Sequence, residues 1–129
     1  MREVLFRGKR KDNGEWAEGL LWKKKYNHNK LFISCFPDKD DNEEVFVICP
    51  ETVGQYTGLT DKNGKRIFEG DIFNIEYPET IVKNAVIEYV GASFYGSTSF
   101  DYWELDDYLE IEVIGNIHDN PELLKGVAE

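Results

Sequence analysis

A chain of 129 residues with 41% hydrophobic and 14% aromatic content is long enough to bury one core without disulfide or metal staples, which excludes a natively disordered polypeptide. No apolar run approaches the ~20 residues of a membrane-spanning helix, so no membrane association is expected. The net charge of −10 works against broad nucleic-acid binding, which depends on neutralising phosphates.

The N-terminal stretch MREVLFRGKRKDNG is charged from its second residue. It has no apolar segment of the kind a secretory signal needs, and a cytoplasmic protein is expected. VLFRG at 4–8 and EWAEGLLW at 15–22 read as strands, rich in aromatic and branched residues. Asp12-Asn13-Gly14 lies between them, and Asn-Gly is a strong hairpin signal because both residues tolerate positive φ. YNHNK, carrying His28, reads as a polar hairpin tip. LFISCF at 31–36 and EVFVIC at 44–49 are further strands, joined by the solvated loop DKDDNEE at 38–44. Cys35 and Cys49 have no neighbouring Cys or His pair, so they do not form a zinc pattern. They are expected to be reduced, buried, small residues.

Residues 51–72, ETVGQYTGLTDKNGKRIFEGDI, hold a second Asn-Gly at Asn63-Gly64. The stretches DNGEWAEGLL and KNGKRIFEGDI repeat one hairpin grammar, too few copies to define a period. DIFNIEY at 71–77 alternates: Ile72, Asn74 and Glu76 on one face, Phe73, Ile75 and Tyr77 on the other. NAVIEYV at 84–90 follows. In LEIEVIGNI at 109–117, alternation groups Ile111, Val113, Gly115 and Ile117 opposite Glu110, Glu112 and Ile114. A turn of helix is predicted in YWELDDYL, and a short C-terminal helix in PELLKGV, with Asn120 as cap, Pro121 in the first turn and Gly126 at the end. Many short strands with frequent turns predict a mainly β, antiparallel fold: a small barrel or pseudo-barrel with SH3-like elements, ending in a short helix, as one domain over 1–129.

Charge is divided unevenly. Residues 1–30 carry nine Lys/Arg against four Asp/Glu, and residues 31–129 carry six against twenty-one. Such asymmetry marks either a partner surface or, more simply, solubility together with attraction between the two ends of the fold.

The middle block invites chemical readings. An EF-hand loop needs glycine at its sixth position and glutamate at its twelfth; DKNGKRIFEGD puts glycine fourth and lacks the glutamate. Gly58, Gly64 and Lys65 imitate a phosphate loop, but Arg66 follows where Ser/Thr would hold magnesium, and a strand comes next instead of a helix. No metal or cofactor is expected. Hydrolysis needs two carboxylates in separated environments; Glu69 and Asp71, two apart on an extended strand, would share a face. The two histidines, His28 and His118, have no acid to orient them, and no nucleophile elbow exists. No catalytic set emerges. FYGSTSFDYWELDDY at 94–108 concentrates Phe94, Tyr95, Phe100, Tyr102, Trp103 and Tyr108 among acids. Its aromatics read first as core, then as a protein-binding or self-association face, and last as stacking platforms for nucleic-acid bases, which the surrounding acids disfavour.

FRGKRKDNGEW, PETVGQYTGLTDKNGKRIFEGDI and VIGNIHDNPELL, in that order, resemble the YopX family of phage and prophage proteins, with the middle block the specific part. The resemblance implies a small, mostly β pseudo-barrel and no assigned catalytic residues. In that block Gly54 and Gly58 would allow bends, Asp61, Asn63 and Gly64 would close a hairpin, and Glu69-Gly70-Asp71 would lead into the next strand. Tyr56 and Phe68 would be core contacts.

The leading functional expectation is a non-enzymatic phage accessory protein that binds another protein, itself included, through the aromatic cluster Phe94, Tyr95, Tyr102, Trp103 and Tyr108 or an exposed sheet edge. The alternatives are association of nucleic acid with Arg2, Arg7, Lys9, Arg10, Lys11 and Lys23 to Lys25, acidic mimicry of DNA, and, weakest, a small hydrolase using Glu69 and Asp71.

Overall fold

Both Asn-Gly dipeptides turn the chain as their chemistry requires. Gly14 stands at φ +74° and Gly64 at +83°, in the left-handed region that costs glycine nothing. Gly14 N–H donates to Arg10 O at 2.9 Å, and Gly64 N–H to Asp61 O at 3.0 Å. The structure, a computed structural model, describes residues 5–24, 27–35, 43–76, 81–98, 102–105 and 110–125.

Two compact units follow one another, Met1–Tyr56 and Thr57–Glu129. The first holds β1 (Phe6–Lys9), β2 (Trp16–Lys24), β3 (Asn27–Cys35), β4 (Glu44–Ile48) and the start of β5 (Gly54–Thr60), with a 3-10 turn at Pro50–Thr52. Its antiparallel order is β4-β3-β2-β1-β5. One face builds the core, where Ala17, Ile33 and Ile48 are buried with Leu21, Leu31, Phe46 and Val53 against them. Both cysteines are free and half-buried. Burial pushes the Cys35 thiol up, and its Sγ donates to Glu18 O at 3.0 Å.

In the second unit the end of β5 lies beside β6 (Arg66–Phe68), with β7 (Asp71–Glu76), β8 (Ile81–Val90), β9 (Ser93–Ser97), β10 (Tyr102–Glu104), β11 (Ile111–Asn116) and helix α1 (Glu122–Lys125) following. Five strands form an antiparallel sheet ordered β10-β9-β8-β7-β11. Ile67, Phe73, Ile75, Ala85, Ile87, Phe94 and Ile111 make its core. In β8, Val82 packs on this core, then Ala85 and Ile87 do. That switch of parity needs a residue out of register. Asn84 supplies it at φ +56°, its N–H held by Asn74 Oδ1 at 2.9 Å.

The mainly β, antiparallel class and the short C-terminal helix agree with the sequence. The strands form two sheets. Three local expectations are corrected. Residues 102–104 are a strand paired with β9, Tyr102 opposite Ser97, because aromatic residues favour a pleated neighbour over a helical turn. Residues 106–109 lie outside the described residues. The grouping of Gly115 and Ile117 with Ile111 and Val113 fails at a bulge after Val113. Val113 pairs with Phe73 but Gly115 with Ile72, and one extra residue exchanges faces. Finally, Asn120 Oδ1 accepts Asn116 N–H at 3.2 Å, so that oxygen turns back toward the strand, away from the helix it was expected to cap. Gly126 lies outside the described residues. No helix among the described residues is long and apolar enough to cross a membrane.

Candidate functional site

The middle block is a pair of carboxylate-tied corners. At the first, Asp61 is 7% exposed. Its Oδ1 accepts the N–H of Asn63 and of Lys65, both at 2.9 Å, and its Oδ2 accepts Val113 N–H on β11 at 3.1 Å. Burial pushes this carboxyl up. The three amides, from Lys65, Val113 and Asn63, and the Lys65 charge outweigh it and hold the group below its ordinary value. The same hairpin reaches β11 again through Lys62 N–H to Ile111 O at 2.9 Å and an exposed Lys62–Glu112 ion pair at 3.4 Å. At the second corner, Asp71 is 1% exposed and its Oδ2 accepts Phe68 N–H at 2.8 Å. Gly70 at φ +89° makes that turn, donating to Ile87 O and accepting from Ile117 N–H, each at 2.9 Å. Gly58 also has positive φ, whereas Gly54 does not and instead pairs with Arg7. Tyr56 and Phe68 are buried.

Glu69 and Asp71 do not share a strand face. Glu69 is half-buried in the turn, and Asp71 opens β7. Two cavities of the second unit lie elsewhere. One of about 160 Å³ is lined by Lys62, Asn74, Ile81, Lys83, Glu110 and Glu112. The other, about 370 Å³, is bounded by Asn84, Val86, Glu88, Ser97, Thr98, Ile117 and Leu124. Among the described residues no cluster of three or more His, Cys, Asp or Glu could hold a metal. His118 sits in a turn with its N–H on Asn116 Oδ1 at 3.0 Å, and His28 falls at the start of β3.

The aromatic cluster divides. Phe94 is a core residue, tilted against Tyr89 with centroids 4.7 Å apart. Tyr95 and Tyr102 meet edge to face at 5.7 Å, and Tyr102 is 71% exposed. Glu88 and Glu104 both stand opposite Tyr95 on the neighbouring strands. Strand alternation explains the division: Phe94 points inward and Tyr95 outward. Trp103 lies on β10; Phe100 and Tyr108 fall outside the described residues.

A second aromatic surface lies on the first unit, on the side of the sheet away from its core. Trp22 stacks on Phe32 at 4.6 Å and 16°, with its Nε1–H donating to Ser34 Oγ at 2.8 Å. Lys24 Nζ stands 5.8 Å over Phe32. Arg7 and Lys9 stand over Trp16 at 4.6 and 5.5 Å.

The family described as YopX protein matches residues 5–125. The chain belongs to the YopX family. The crystal structure of protein EF1440 from Enterococcus faecalis is similar at 26% identity and a TM-score of 0.59, covering 96% of this chain and 99% of that one. None of the curated proteins compared matches it.

The family block thus has a physical content in this YopX protein: Asp61 and Asp71 close corners. Sequence reasoning placed the corners but not the outer face built around Trp16 and Trp22. The signal was present in EWAEGLLWKK, where even positions carry Trp16, Leu20, Trp22 and Lys24 together. It was masked because odd positions, Ala17 and Leu21, also read as core.

Proposed function

We propose that this YopX protein is an accessory factor of a phage or prophage that acts in the cytoplasm by binding another protein, a second copy of itself included, and performs no reaction. The observation that carries this reading is Tyr102, 71% exposed on the three-residue edge strand β10. Tyrosine buries large area while freezing few rotors, which suits a protein interface. The flanking Glu88 and Glu104 disfavour a phosphate backbone there. A short edge strand offers a place to dock without templating an open fibre. The assignment of no chemistry is supported by the two motif carboxylates, whose oxygens accept backbone amides. The phage setting rests on family membership.

Light scattering over a dilution series tests it. The wild-type mass rises with concentration, and Tyr102→Ser, which gives up the exposed edge-to-face contact with Tyr95 at a cost of about 1 kcal/mol, stays monomeric where wild type associates. A wild type that is monomeric throughout ends the self-association reading. Unchanged association in Tyr102→Ser removes it from this edge.

A further inference from the structure

We infer that the outer face of the first unit's sheet binds single-stranded nucleic acid, with Trp22 and Trp16 as stacking stations for bases and Lys9 and Lys24 as phosphate contacts. This surface belongs to the first unit and the β10 edge to the second, so the inference is argued from different residues than the protein-binding reading.

The register defines the face. Lys9 pairs with Trp16 and Arg7 with Glu18 across β1 and β2. Trp22 pairs with Phe32, and Leu20 with Ser34, across β2 and β3. Residues directly opposite in an antiparallel pair project to the same side. The unit's core is built by the opposite set, Ala17, Ile33 and Ile48, so this side is not needed to close it. Yet it carries Trp22 at 37% and Leu20 at 52% exposure.

Three observations select the occupant. First, the rings are held in place: Phe32 lies beneath Trp22 and Ser34 fixes its indole edge, while the buried Arg7 lies over Trp16. A pre-positioned ring loses little freedom when a base stacks on it. Second, the charge is complementary to phosphate. Among the described residues of β1 and β2, Arg7, Lys9 and Lys24 share the face with one acid, Glu18, and exposed Lys30 lies on the neighbouring β3. These cations belong to the 1–30 segment, which is positive while the remainder is strongly negative. Third, the geometry is that of a strip. Trp16 and Trp22 lie six residues apart on one strand, about 20 Å at ~3.3 Å per residue, and a sheet face offers no element to enter a duplex groove. A flexible single strand can lay successive bases along such a strip.

Fluorescence anisotropy with a labelled mixed-sequence DNA or RNA strand of about ten nucleotides, over a salt series starting near 50 mM, tests this, with the matching duplex in parallel. The expected result is single-strand binding that weakens with salt, and weaker duplex binding. Lys9→Gln and Lys24→Gln should each flatten the log–log salt slope by about 0.7. Trp22→Ala should weaken binding about tenfold, within the range of one lost base stack. Because Trp22→Ala also removes a packed ring, Lys24→Glu, at an exposed cation, serves as the variant that leaves packing intact, and circular dichroism checks both folds. No binding at the lowest salt overturns the inference, as does equal affinity for the duplex or unchanged affinity in both Trp22→Ala and Lys24→Glu. If the strand fails to bind while Trp22→Ala alters the mass in light scattering, the face is an interface between copies, which also overturns it.

Discussion

Asp61→Ala should cost the folded protein about 4 kcal/mol, measured by urea denaturation at neutral pH, and Asp61→Asn about 2–3 kcal/mol. Both figures follow from three backbone donors that share one carboxylate. Hydrogen bonds to a charged acceptor contribute about 1.5–3 kcal/mol each, and not additively within one site. Alanine strands all three amides. Asparagine keeps one oxygen, which can serve Asn63 and Lys65, but it turns an NH2 toward Val113 N–H, donor against donor. The pH dependence has a definite sign. The Asp61 carboxyl sits below its ordinary value in the folded protein. Its contribution is therefore complete above the unfolded value of about 3.9 and is lost as pH falls through the lower folded value. The difference between wild type and Asp61→Asn should stay constant from about pH 5 to pH 8 and shrink below about pH 4. A difference that persists undiminished in acid would contradict the ionised carboxylate as its source.

Gly19→Ala should cost about 3 kcal/mol, at the upper end of the usual range for overpacking. A Cβ at Gly19 would stand 2.0 Å from Ser34 O and 2.9 Å from Ser34 C, with Ile33 Cγ2 at 3.1 Å. Two of those atoms are backbone of the neighbouring strand β3, so no rotamer change relieves them. Either β2 and β3 separate or the hairpin shifts register. Gly14→Ala provides the control. Nothing lies within 4 Å of a Cβ there, but φ is +74°, so its cost is conformational alone, about 1–2 kcal/mol. Thermal or urea unfolding of the two variants separates contact from backbone conformation. Equal costs would contradict the close approach of β2 and β3.

Much of this fold was legible because its period is two and its turns are punctuated. The strand predicted at 44–49 is β4, Glu44–Ile48, and the one at 71–77 is β7, Asp71–Glu76. The strands given no bounds from the sequence are β5, β6, β9 and β10. GQYTGLT and RIF flank the Asp61 corner, and their glycines and charges blur the alternation that would bound them. SFYGS and YWE follow a Gly91-Ala92 turn in which both residues have positive φ, a conformation that alanine does not announce. Alternation also misled where a bulge changed its parity, after Val113. The role of Asp61 could be read locally as a turn residue. Its bond to Val113, 52 residues away, could not, because that link exists only once β11 has been placed beside the hairpin. Likewise, the tyrosines of 94–108 were visible as a group, but only the sheet shows that Phe94 faces in while Tyr95 and Tyr102 face each other.

Hydrogen exchange at the amides of Asn63 and Lys65 tests most directly whether the acids of the YopX block serve its shape. Both residues have exposed side chains in a hairpin tip, where an ordinary turn opens at almost no free-energy cost. With both N–H groups held by the buried Asp61 carboxylate, exchange should be slow, protected by several kcal/mol and close to the surrounding strands. Exchange at the rate of an unstructured peptide would show that this carboxylate does not hold the corner and would leave it available for some other task.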